Sequence, residues 1–137
     1  MQQAILEGRK ALPHCRPNPP VGCVIVKNGA IISRGHTNEP GADHAEAMAL
    51  RALGDEVQDI ELYVTLEPCS FQGRTPSCAR TMVNRGGVTK VYVGMLDPHP
   101  KNQGAGNQIL IRAGIEVEVG VLGERVSEEL SPFLIRE

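Results

Sequence analysis

Two β-branched apolar runs joined by Asn28-Gly29 constrain this chain more than any other feature. Residues 21–27 and 30–34 flank that two-residue step, and Asn-Gly between such runs is the strongest short-range signal for a tight antiparallel hairpin. A hairpin this early starts a sheet. The remainder of the chain alternates between helix-spaced segments and short apolar runs, the pattern of an α/β domain. Residues 2–12 read as a helix, with Met1, Ile5, Gly8 and Leu12 at near-helical spacing and Pro13 as its stop. Residues 17–20 read as a stiff extended segment and 35–42 as a loop. A second helix starts at His44, with Asp43 as N-cap and Glu46 three residues on in a capping box. Ala45, Met48, Ala49, Ala52 and Leu53 form its apolar face. Residues 60–66 read as a buried central strand and 67–77 as a loop. A helix over 78–85 is stopped by Gly86-Gly87. A strand over 90–95, a helix over 107–113, a strand over 115–119 and a helix over 124–130 complete five strands and five helices.

The length of 137 residues suits one domain with its own core. Function classes narrow at once. The net charge of -2, with 3% aromatic residues and no Trp, argues against a nucleic-acid partner. No apolar run approaches the ~20 residues that span a bilayer, so no membrane partner is expected. Met1, Gln2, Gln3 and Glu7 leave no room for a signal-peptide core. The expected compartment is the cytoplasm, where thiols stay reduced. The four cysteines there suit metal binding or core packing better than disulfides.

The chemistry concentrates in His44-Ala45-Glu46 and in Pro68-Cys69, with Cys78 nine positions after Cys69. One imidazole and two thiolates make a borderline-soft donor set suited to tetrahedral zinc. Three protein ligands leave a fourth position for water, as catalytic sites do. His44 and Cys78 fall at helix N-termini, where the positive end of the helix dipole favours neutral imidazole and thiolate. Cys69 falls just past the central strand, where open α/β sheets place their sites. Glu46 is two residues from His44, so its side chain diverges from the imidazole by roughly 200° on a helix. It is expected to lean over the open side as proton shuttle, moving a proton from the attacking water to a ring nitrogen and then to a departing amine. A closed structural zinc site stays open as an alternative if Cys23 or Cys15 supplies a fourth ligand. In that case the chain is a zinc-stabilised interaction module. Cys23 alternates with Val21 and Ile25 and reads as core, and Cys15 reads as a loop thiol.

His-x-Glu followed by Pro-Cys-x-x-Cys is the general pattern of zinc nucleobase deaminases. This chain carries the first half and the Pro-Cys, with eight residues instead of two between the cysteines. The run Thr65-Leu66-Glu67-Pro68-Cys69-Ser70, then Gly73-Arg74-Thr75-Pro76 and Cys78-Ala79, closely resembles the riboflavin-biosynthesis pyrimidine deaminase family. The likeness extends to Asn18-Pro19, Val21-Gly22, His44-Ala45-Glu46, Asp97-Pro98, Gly104 and Gly106. The resemblance implies a three-layer α/β/α cytidine deaminase-like fold with a five-stranded mixed sheet. It implies one Zn2+ per chain on His44, Cys69 and Cys78, with Glu46 as catalytic shuttle. The implied substrate is a diaminopyrimidinone carrying a ribosyl phosphate, which loses its 2-amino group as ammonia. A pterin, guanine or a specialised-metabolite amine are the alternative small heterocycles. Asn18 and Arg74 carry over as substrate contacts, with Ala45 beside them. Phe71 stands where the family usually has a histidine, and His99 where it often has an asparagine. Ala105 replaces a glycine-flanked arginine, and His36 lies one residue further from His44 than the family's substrate-contacting histidine. Phe71, His99 and His36 are therefore also taken as substrate-facing. Residues 130–137 resemble the stretch where bifunctional members pass into a reductase domain, so residues 1–137 are expected to form a stand-alone deaminase domain. A homodimer or homotetramer is expected from the resemblance.

Overall fold

The computed structural model describes residues 1–73 and 75–134. Its elements run α1 (Gln2–Arg9), β1 (Gly22–Lys27), β2 (Ala30–His36), α2 (Ala45–Leu53), β3 (Ile60–Leu66), α3 (Cys78–Arg85), β4 (Val88–Met95), α4 (Ala105–Arg112), β5 (Glu116–Val119) and α5 (Gly123–Leu130), followed by a 3-10 turn at Ser131–Phe133. The strands form one mixed sheet in the order β2-β1-β3-β4-β5. β1 is antiparallel to both β2 and β3, whereas β3, β4 and β5 run parallel. The hairpin turns at Asn28 and Gly29, with φ of 52° and 80°. Two successive positive φ values are what a primed turn demands.

Glycines show how closely the layers approach. A Cβ on Gly22 would lie 1.8 Å from the Ala4 carbonyl oxygen of α1. A Cβ on Gly35, the partner of Cys23, would lie 2.2 Å from the Ala45 carbonyl oxygen of α2. Gly22 and Cys23 point to opposite faces of the strand, so α1 and α2 cover opposite faces of the sheet. Val126 of α5 packs on Gly94, closing the α1 side, while α2, α3 and α4 follow one another across the other face. The core between them holds Ile25, Ile60, Leu62, Val64, Val91, Val93, Met82 and Leu110, all fully buried. On β3, Ile60, Leu62 and Val64 are fully buried while Glu61 and Tyr63 on the other side are half-buried, and Thr65 and Leu66 at its end are buried again.

Several boundaries differ from expectation. α1 ends at Arg9 rather than near residue 12, and 10–17 continue as turns. Its last amides fold back three residues, Lys10 N–H to Glu7 O and Ala11 N–H to Gly8 O, the tighter ladder that ends many helices. Cys15 is a thiol of that turn run, as expected, and is fully buried. β2 extends to His36 because Gly35 and His36 pair with Cys23 and Gly22.

The topology determines what can meet the end of β3. β4 runs parallel to β3, so the segment after Met95 leaves at the same edge. β1 is antiparallel to β3, so its start, and residues 18–21 before it, lie beside β3's finish. β2 is antiparallel to β1, which returns His36 and Thr37 to that edge too.

Candidate metal and catalytic site

His44, Cys69 and Cys78 come together at this edge, their ligand atoms all within 4.8 Å of one another. His44 is the N-cap of α2, with extended backbone (ψ 169°) that turns its ring out of the helix. Its Nδ1 lies 3.8 Å from Cys69 Sγ and 3.3 Å from Cys78 Sγ. With ordinary zinc–sulfur and zinc–nitrogen bond lengths, the edges of a tetrahedron are about 3.5–3.8 Å. The donor spacing is of that size. Cys78 opens α3, and its backbone N–H points at Cys69 Sγ at 3.2 Å. Ser77 caps α3 by accepting from the Arg80 N–H and donates to the Cys69 carbonyl at 2.8 Å. The two sulfur-bearing segments are therefore fastened to each other through the backbone.

The two thiols sit close enough to share one proton. Cys69 is pulled down to about 4, first by the hydrogen bond from Cys78, against burial, with His44 assisting. Cys78 is pushed up by that same bond and then by burial. Metal binding calls for both cysteines as thiolates, yet two sulfur anions this close repel unless a metal neutralises them. The His44 imidazole is raised, chiefly by its hydrogen bond to Cys69.

The capping box is not formed. No side chain caps α2. His44 occupies the N-cap position, and Asp43 pairs instead with Arg51 at 2.9 Å. Glu46 is thereby free to turn inward. It is 4% exposed and lines the same cavity as His44 and Cys69. Burial, then the neighbouring Cys69, pushes its carboxyl up to about 7, with His44 opposing. A carboxyl that titrates near neutral pH both accepts and releases protons readily.

The cavity has a volume of about 410 Å³, and Asn18, Ala45 and Phe71 are among the residues that line it. His99 and His36 do not line it. His99 lies behind Phe71, with ring centroids 5.4 Å apart, and reaches the cavity only through that ring. His36 turns to α1, its Nδ1 2.9 Å from Glu7 Oε2. The reason is strand alternation: His36 pairs with Gly22 and shares its α1-facing side. Thr37, one residue later, lines the cavity in its place. Arg74 lies outside the described residues, as do residues 135–137. Cys23 is buried in the core and Cys15 in the turn after α1; neither belongs to the donor group found among the described residues. A closed four-ligand site built on either cysteine has no support in that arrangement.

Sequence reading missed Thr75 and Glu67. Thr75 Oγ1 lies 3.0 Å from His44 Nε2, the ring nitrogen that faces away from the sulfurs. With Nδ1 turned to a metal, Nε2 carries the proton and donates to that hydroxyl, which fixes tautomer and ring orientation. Thr75→Val is expected to weaken zinc about 10–100-fold, and Thr75→Ser to retain it. Competition against a chromophoric chelator measures both; equal affinities in wild type and Thr75→Val would remove the orienting role. Glu67, immediately before Pro68-Cys69, is buried at 3% exposure and accepts three backbone N–H groups. A charged residue abutting a ligand was the available signal.

Residues 1–95 match the model of the cytidine and deoxycytidylate deaminase zinc-binding region. The chain is 44% identical over 128 residues to the riboflavin biosynthesis protein RibD of Aquifex aeolicus, covering 93% of this chain and 36% of that protein. Among solved structures, Acinetobacter baumannii RibD aligns with a TM-score of 0.90 at 46% identity, over 97% of this chain and 37% of that one. The Aspergillus oryzae Rib2 deaminase in complex with DARIPP aligns with a TM-score of 0.71 at 25% identity, over 95% and 93% of the two chains. The chain thus spans a little over a third of the RibD proteins it matches. Its fold is cytidine deaminase-like, as the family resemblance implied, and the α/β alternation read from the sequence is consistent with it. Since the matched stretch runs through all three donors and Glu46, the chain belongs to the zinc-binding family of cytidine and deoxycytidylate deaminases.

Proposed function

We propose that this chain is a zinc-dependent hydrolytic deaminase whose substrate is the ribosyl-phosphate-bearing diaminopyrimidinone of riboflavin biosynthesis. The observation that carries the reading is the Glu46 carboxyl, buried beside the His44, Cys69 and Cys78 donor group on the wall of an open cavity. The RibD names of its relatives and the DARIPP bound to the Rib2 structure supply the substrate class. The three donors are deduced to hold one zinc ion, and zinc when bound supplies the Lewis acidity that makes water a nucleophile near neutral pH. Glu46 takes a proton from the attacking water and passes it to the ring nitrogen next to the attacked carbon, then takes the second proton from the new hydroxyl as the carbonyl forms and delivers it to the departing amine. Ala45 and Phe71 give the cavity that would receive the heterocycle an apolar wall, and Asn18 adds an amide to its lining. No Lys or Arg lines the cavity among the described residues. For the phosphate the proposal rests on Arg74, carried over from the family resemblance; in sequence it stands between Gly73 and Thr75. Cytoplasmic location and a homodimer or homotetramer belong to the same proposal; no helix among the described residues is long and apolar enough to cross a membrane.

The test is ammonia release from a panel: the phosphorylated diaminopyrimidinone, its dephosphorylated form, cytidine, deoxycytidylate, guanine and a pterin. The phosphorylated pyrimidinone is expected to give the highest kcat/KM. Preference for any other member overturns the substrate assignment, and silence across the whole panel with zinc bound overturns the deaminase reading.

A further inference from the structure

We propose that Glu67 is a positioning residue that fixes the substrate-side wall of the cavity relative to the metal-ligand turn. The proposal rests on the deaminase reading above. A carboxylate this buried is costly unless its oxygens are occupied, and every partner of Glu67 lies on one segment. Oε1 accepts the N–H of Asp97 at 3.1 Å and of Gly104 at 2.9 Å, and Oε2 accepts the N–H of Asn107 at 3.1 Å. Gly104 is the N-cap of α4, so an anion meets the helix end whose amides lack intrahelical acceptors. Residues 96–104 between β4 and α4 have no strand or helix of their own. Turns of their own shape them, with the Gln103 N–H on the Asp97 carbonyl and the Asn102 N–H on the His99 carbonyl, and the Glu67 carboxylate ties that folded segment to the metal turn.

The same seam is sewn at two more points. Asn102 Nδ2 donates to the Pro68 carbonyl at 3.2 Å, and Ser70 Oγ donates to the Lys101 carbonyl at 3.1 Å. Gly106 comes so near that a Cβ there would lie 1.8 Å from the Pro68 oxygen. Glu67, Pro68 and Ser70 surround Cys69 in sequence. What they hold reaches the cavity: Asp97 lines it, and His99 backs the Phe71 ring. Two surfaces that a substrate must touch together, the metal turn and Asp97, are thus registered by Glu67 together with the flanking Asn102 and Ser70 bonds. Glu67 also lines the cavity, but its carboxylate oxygens are taken up by the amides of Asp97, Gly104 and Asn107, so it acts through the segment it pins.

Glu67→Gln replaces one acceptor oxygen with an NH2 group that faces a backbone N–H. The expected result is a KM about 10-fold higher with kcat within threefold of wild type and one zinc per chain retained. The amides of Gly104 and Asn107 are expected to exchange hydrogen at least 10-fold faster. Glu67→Asp, which keeps the charge, is expected to recover part of both effects. Wild-type amide exchange in Glu67→Gln, an unchanged KM, a fall in kcat alone, or loss of zinc would each overturn the assignment. If Glu67→Gln does not fold, Ser70→Ala removes only the Ser70–Lys101 bond of the same seam. A KM raised two- to threefold supports the proposal there, and an unchanged KM overturns it. Amide exchange does not depend on turnover, so it judges Glu67 even if the wild-type protein deaminates nothing on the panel.

Discussion

Glu46→Gln is expected to retain one zinc ion per chain and to lose about 10²–10⁴-fold in kcat. The substitution is nearly isosteric. It leaves the His44, Cys69 and Cys78 donors in place, and Glu46 is not among them. What it removes is a group that can accept a proton from water and return it. An amide does neither near neutral pH. Folding should not suffer, because burial is what raises this carboxyl to about 7 and a neutral amide escapes that cost. Zinc content by elemental analysis, thermal midpoint and ammonia release, measured on one preparation, check all three points. Undiminished turnover with zinc retained would remove Glu46 from the proton pathway.

Cys78→Ser is expected to produce the second-largest effect, the loss of zinc. Cys78 is 4% exposed, and its sulfur faces His44 Nδ1 at 3.3 Å from the first turn of α3. A serine hydroxyl keeps its proton at neutral pH and is a harder donor, so it does not replace a thiolate on zinc. Removing one of three ligands from a site of roughly 10–16 kcal/mol total should weaken zinc on the order of 10²–10³-fold. Ammonia release falls with occupancy. The fold should persist, because the fully buried core of Ile60, Leu62, Val64, Val91 and Val93 lies in the sheet and not at the metal. Circular dichroism against zinc content separates the two effects. Full zinc occupancy in Cys78→Ser would show that the donor set is assigned wrongly.

How much of this was legible in the sequence depends on how local the cause is. The Asn28-Gly29 hairpin was readable because a two-residue turn is governed by its own φ values. The donor triad was readable for a different reason: a metal restricts residue types so strongly that one His and two Cys at element edges stand out. The capping box shows where local reading fails. Asp43 and Glu46 have the right spacing, but Arg51 draws Asp43 aside and the cavity takes Glu46. His36 failed by a single residue, because a strand alternates sides and only the β1 pairing decides which residue turns to α1.

The sequence alone therefore determined the order of strands and helices and the metal chemistry, since each is a consequence of residue type and short-range spacing. Tertiary structure decided the rest. That Thr75 steadies His44 from 31 positions away, that Glu67 grips amides 30 to 40 positions further on, and that Thr37 replaces His36 at the cavity all depend on which strand lies beside which. Such contacts arise only when the mixed sheet brings distant turns to one edge, and no short-range pattern encodes that arrangement.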